Sequence, residues 1–122
     1  MQALPHKYKT TSTATAGGGA AMLTSPGLPD LVIDAPAEFD GPGDKWSPET
    51  LLTGAVADCF VLTFRAIARG TKLDWLNVEV DVVGTLEREG RNSRFTRFDL
   101  EARLSIPPHA DREAAERALH KA

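Results

Sequence analysis

The spacing of hydrophobic and polar positions changes character along the chain, and each stretch predicts a different element. Leu4 to Thr15 is threonine-rich and mildly alternating, then runs into Ala16-Gly17-Gly18-Gly19-Ala20, the pattern of a strand entering a turn. Met22-Leu23-Thr24 predicts a short second strand. Ser25-Pro26-Gly27-Leu28-Pro29 is turn chemistry, and Asp30 to Ala35, with Leu31, Val32 and Ile33, predicts a third strand. The first segment therefore reads as a three-stranded meander. Glu38 to Trp46, rich in glycine and charge, predicts a loop.

A long helix should follow. Ser47 suits an N-cap, Pro48 the first helical position and Glu49 the positive end of the helix dipole. From Pro48 to Arg69 the only breaker is Gly54. Leu51, Leu52, Ala55, Val56, Cys59, Phe60, Leu62, Phe64 and Ile67 cover most of the circumference, which predicts a central helix buried on nearly every side. Gly70 is the expected C-cap glycine. Leu76, Val78, Val80 and Val82 then alternate with Asn77, Glu79 and Asp81, a strand with one buried face. A turn over Arg88–Ser93 leads to a return strand alternating Phe98, Leu100, Ala102, Leu104 and Ile106 against charge. Pro107-Pro108 ends this long hairpin, and Asp111 to Ala122 follows a helical period. The fold class is α+β, with residues 1–122 expected to form one domain. No capping sequence closes the last helix, so the domain is expected to lack a C-terminal segment.

Composition narrows the function classes. Hydrophobic residues are 42% and charged residues 25% of the chain, with a net charge of -3. That balance suits a soluble protein and offers no basic footprint for nucleic acid or an anionic membrane. No uninterrupted apolar run reaches the roughly 18 residues of a membrane span. The N-terminus has no signal-peptide core, and the lone cysteine agrees with a reducing compartment, so a cytoplasmic location is expected. His6, His109 and His120 have no metal-ligand spacing, and neither a metal nor a cofactor is expected. Trp46 and Trp75 flank the long helix and read first as core anchors, second as walls of an apolar pocket.

Cys59 is the candidate for chemistry. The helix opens with Ser47-Pro48-Glu49-Thr50-Leu51 and, ten residues after Glu49, reaches Cys59 in Ala57-Asp58-Cys59-Phe60. These motifs and the element order resemble the OsmC/Ohr family of thiol peroxidases, in which a [N/S]-P-E-x-L stretch opens the helix and an A-C-F-like run places the reactive cysteine. The resemblance implies an intertwined homodimer with sites at its interface, Cys59 as the nucleophile toward an organic hydroperoxide and Glu49 as the residue that orients its activating group. It also implies an arginine in the early strand-turn region and a resolving cysteine after the last helix. The corresponding stretch, Ala16–Ala20, has no arginine, and no second cysteine is present, so turnover is expected to take an external thiol. Arg65, Arg69 and Lys45 are the candidate replacements for the missing cation. Asp58 is expected to face away from the thiol, since adjacent helical residues diverge by about 100°.

Ten helical residues span roughly 15 Å, so Glu49 and Cys59 of one chain cannot touch. Two helices crossing antiparallel near Gly54 would bring Glu49 of one copy to Cys59 of the other. The alternative reading is a non-catalytic dimer of the same fold, or one that binds a small hydrophobic ligand at the same interface. A lone cysteine on an apolar helix often serves only as a small hydrophobe, and an acid in the first turn serves the dipole alone.

Overall fold

The structure, a computed structural model, describes residues 1–122 and divides into two compact units, Met1–Leu51 and Leu52–Ala122.

The first unit holds a three-stranded antiparallel sheet in the order β1 (Thr11–Thr13), β2 (Ala21–Thr24), β3 (Leu31–Ile33). This is the expected meander with shorter outer strands. Residues 1–10 are exposed and form no strand, because this stretch buries little apolar surface: Leu4 and Tyr8 are themselves exposed, and its bond to the sheet segment is from Ser25 Oγ to Lys9 O at 2.8 Å. Strand alternation gives Ala21, Leu23, Leu31 and Ile33 one face, and Ile33 is the buried residue of that face. A single 3-10 turn at Ala37–Phe39 interrupts the predicted loop, and Trp46 forms a bridge with Ile33. Trp46 is 52% exposed, so it is a strand-end contact rather than the core anchor the sequence suggested.

Helix α1 (Pro48–Gly70) begins where the sequence placed it. Ser47, 1% exposed, accepts through Oγ from the Thr50 backbone N–H at 3.1 Å, and Thr50 Oγ1 accepts from the Ser47 N–H at 2.8 Å. This is a reciprocal capping box with threonine in the place usually held by Glu or Gln. The C-terminus differs from expectation. Gly70 is the last helical residue, and the left-handed position falls two residues later, at Lys72 with φ 56°. Leu73 N–H bonds Ala68 O at 2.9 Å and Lys72 N–H bonds Arg69 O at 3.3 Å, the paired bonds of a Schellman motif. Leu73 packs against the cluster of Phe64, Ala68 and Ala118, which favours the chain leaving the helix at this point.

In the second unit, β4 (Asn77–Glu89) and β5 (Asn92–Ser105) form a long antiparallel hairpin. Its turn is only Gly90-Arg91, shorter than the predicted Arg88–Ser93, with φ +63° at Gly90, which glycine adopts without strain. One face stacks Val78 against Leu104, Val80 against Ala102 and Val82 against Leu100. A bulge after Thr85 inserts Thr96 into β5, so that Arg97 pairs with Thr85 and Phe95 with Leu86. The extra residue returns Phe95 to the face of Phe98, and the rings stack with centroids 5.2 Å apart. Both meet Gly84, where a Cβ would lie 2.9 Å from Thr53 Oγ1 of α1 and 3.0 Å from each ring. The other hairpin face is charged, with Arg103 binding Asp81 at 2.9 Å and Glu79 at 3.1 Å.

Helix α2 (Arg112–Lys121) is N-capped by Asp111, whose carboxylate accepts from the N–H groups of Glu113 and Ala114. Its Ala115 and Ala118 are buried. Phe64, Ala68 and Ala118 form the core, with Ile67, Trp75, Val78, Leu104 and Leu119 around them. Trp75 does act as a core anchor, edge-on to Phe64 at 5.3 Å.

The burial of α1 departs most from the sequence reading: only Phe64 and Ala68 are buried. The helix is long and apolar enough, by length and composition, to cross a membrane, but its low burial in a single chain is the informative property.

Candidate active site

Helical periodicity separates two faces of α1. The side bearing Phe64 and Ala68 meets the core, and opposite it Leu52, Ala55, Cys59, Leu62 and Ala66 are all exposed. Their alternating spacing of three and four residues makes one continuous apolar stripe, with Leu52 at 48% and Leu62 at 50% exposure. Cys59 stands at its middle, exposed rather than buried as the sequence suggested. Gly54 is half-buried and lies off the stripe; Ala55 is the small residue that occupies it.

Cys59 Sγ lies 3.9 Å from Thr63 Oγ1 one turn along the helix. None of the three candidate cations joins it within the helix. Arg65 sits roughly 9 Å further along and about 120° around the axis, and Arg69 roughly 15 Å along. Lys45 is engaged with Asp44 at 2.9 Å, and each partner holds the other's charged form: the Asp44 hydrogen bond raises the Lys45 pKa, and the Lys45 ammonium lowers that of Asp44. Asp58 is exposed beside Cys59 and points about 100° away, as expected.

Glu49, half-buried, lines a cleft of about 420 Å³ in the first unit. Opposite walls come from Ala14, Gly19 and Ala21 of the strand-turn-strand segment and from Asp34. The turn in which the resemblance implies an arginine thus does border Glu49, but it presents only small side chains there. The carboxyl of Asp34 is already used in part, since Oδ1 accepts from the Ala35 N–H at 2.8 Å. Sequence reasoning missed this cleft; the run of small residues from Ala14 to Ala21 was its only trace.

The family model of OsmC-like proteins matches residues 41–122, from the loop before α1 to the last residue. The chain belongs to the OsmC-like family. Among solved structures, an OsmC-like protein of unknown function from Vibrio cholerae superposes with a TM-score of 0.86 at 15% identity, over 96% of this chain and 87% of that one. The organic hydroperoxide resistance protein OsmC from Legionella pneumophila does so at 0.74 and 22% identity, over 98% and 83%. At such identities these likenesses show the OsmC fold. The uncharacterized protein YmaD of Bacillus subtilis is 33% identical over 52 residues, 43% of this chain, and the match spans 35% of YmaD's length. Several OsmC-fold relatives, the Legionella protein among them, are named for organic hydroperoxide resistance.

Proposed function

We propose that this OsmC-like protein is a thiol-dependent peroxidase that reduces organic hydroperoxides, with Cys59 as its nucleophile. The observation that carries the reading is the placement of Cys59: one exposed thiol in the middle of an apolar stripe, on the helix opened by Ser47-Pro48-Glu49. Apolar surroundings favour an organic peroxide over a polar one, and exposure admits it. The Cys59 thiolate attacks the distal peroxide oxygen; the S–O bond forms as the O–O bond breaks, and the alcohol leaves after taking a proton. The resulting sulfenic acid condenses with one external thiol, releasing water, and a second external thiol displaces the mixed disulfide and restores Cys59. The two thiols supply the two electrons, as in a reducing cytoplasm.

The working unit in this reading is a homodimer. A stripe of this length on an otherwise amphipathic fold favours a partner surface, and a second copy of α1 supplies one. The spacing Pro48, Leu52, Ala55, Cys59 is symmetric about a point between residues 53 and 54. Two antiparallel copies crossing there set Leu52 of one against Ala55 of the other, large against small. They also set Cys59 of one beside Pro48 and Glu49 of the other. The crossing proposed here lies near the Gly54 expected from the sequence, with Leu52 and Ala55 as the facing pair. Leu52→Lys should convert the dimer to a monomer in sedimentation velocity at micromolar concentration; a wild-type monomer would remove the shared site.

The lack of a cation on α1 beside Cys59 and the small residues opposite Glu49 favour a second reading, a dimer that binds a small hydrophobic ligand without catalysis. Consumption of cumene hydroperoxide with a dithiol separates the two, because only the first reading gives turnover lost in Cys59→Ser.

A further inference from the structure

The geometry points to Thr63 as a positioning residue that holds and stabilises the Cys59 thiolate, an inference that rests on Cys59 being the reacting sulfur. Inside helices, threonine ordinarily turns its hydroxyl back to a carbonyl in the preceding turn. Thr71 does so to Ile67 O at 2.9 Å, and Thr50 to Ser47 O at 3.1 Å. Thr63 instead sets its hydroxyl 3.9 Å from Cys59 Sγ, a polar contact one turn along the helix. Thr63 is half-buried while Cys59 is exposed.

The direction of the bond follows from ionisation. A neutral thiol and a hydroxyl each donate or accept, but a thiolate only accepts, so on ionisation the surviving bond is Thr63 O–H to sulfur. A hydrogen bond to an ionised acceptor is stronger than one to its neutral form, which favours the thiolate. With Arg65 and Arg69 out of reach, this hydroxyl is the polar group on α1 that acts on the sulfur.

The test measures alkylation of the single thiol by iodoacetamide between pH 5 and 10, read by intact mass, in the full chain. Thr63→Val keeps the side-chain shape and removes the donor; its rate at pH 7 should fall roughly three- to tenfold, the worth of one hydrogen bond, and its pH profile should move to higher pH. Thr63→Ser restores the hydroxyl and should return both toward wild type. Thr63→Ala, favourable in a helix, should match the valine variant and covers the case in which valine disturbs folding. A valine or alanine variant within twofold of wild type with an unmoved profile overturns the inference, as does a serine variant that behaves like valine. The measurement needs no peroxide: the alkylation pattern tests Thr63 alone, whereas absence of hydroperoxide turnover in wild type would overturn the peroxidase reading.

Discussion

Replacing Gly84 with alanine places a methyl group where α1 and two aromatic rings already meet the hairpin. The added Cβ would stand 2.9 Å from Thr53 Oγ1 and 3.0 Å from Cε1 of both Phe95 and Phe98. Two opposing effects decide the sign. Removing glycine's unfolded-state freedom from a strand gains about 0.5–1 kcal/mol. Forcing extra carbon into a packed site costs about 1–3 kcal/mol, and the stacked rings restrict each other's escape. Overpacking wins, leaving a net loss of about 0.5–2 kcal/mol. For a domain of this size that lowers the melting temperature by roughly 2–8 °C. Thermal unfolding followed by circular dichroism measures it, with Gly84→Val losing more than Gly84→Ala. In a Phe98→Ala background one of the three contacts is gone and Phe95 can shift, so the cost of Gly84→Ala should shrink while the Thr53 contact keeps it above zero. A Gly84→Ala variant as stable as wild type, or more so, would refute the packing described at the bulge.

Ser47→Ala removes the hydroxyl that accepts from Thr50 N–H in a buried capping box and should cost about 1–2 kcal/mol in urea denaturation. Lys72→Gly relieves a left-handed residue in the Schellman motif and should stabilise by up to about 1 kcal/mol, the left-handed penalty less glycine's entropy. The same substitution at Gly70's neighbour Arg69, inside the helix, should instead destabilise by about 1 kcal/mol.

The sequence made the element order and both helix starts legible, because each is signalled locally. Ser47-Pro48-Glu49 announces α1 by its unpaired amides, Asp111 announces α2, and the alternation of Val78, Val80 and Val82 announces β4. The C-terminus of α1 was misplaced because Gly70 is the obvious left-handed residue, while the chain leaves the helix where Leu73 can pack against the cluster that includes Ala118 of α2, a tertiary demand. The bulge was invisible for a related reason. Phe95 and Phe98 are three apart, a separation that alternation assigns to opposite faces, and only the inserted Thr96 brings them together. The motif singled out Cys59 and Glu49, but a hydrophobic count around α1 could not tell a face buried by its own chain from one that stays exposed. One wall of the cleft beside Glu49 is made of small residues, Ser12, Ala14, Gly19 and Ala21, whose meaning appears only when they are folded next to a carboxylate.

Reduction of an organic hydroperoxide by the wild-type chain, set beside Cys59→Ser, tests the central claim most directly. Consumption of cumene hydroperoxide with excess dithiothreitol should be catalytic in wild type, with a sulfenic acid at Cys59 trapped by dimedone when the dithiol is left out. It should fall to the uncatalysed rate in Cys59→Ser. Equal consumption by the two proteins, or a wild type that forms no dimedone adduct, would contradict it.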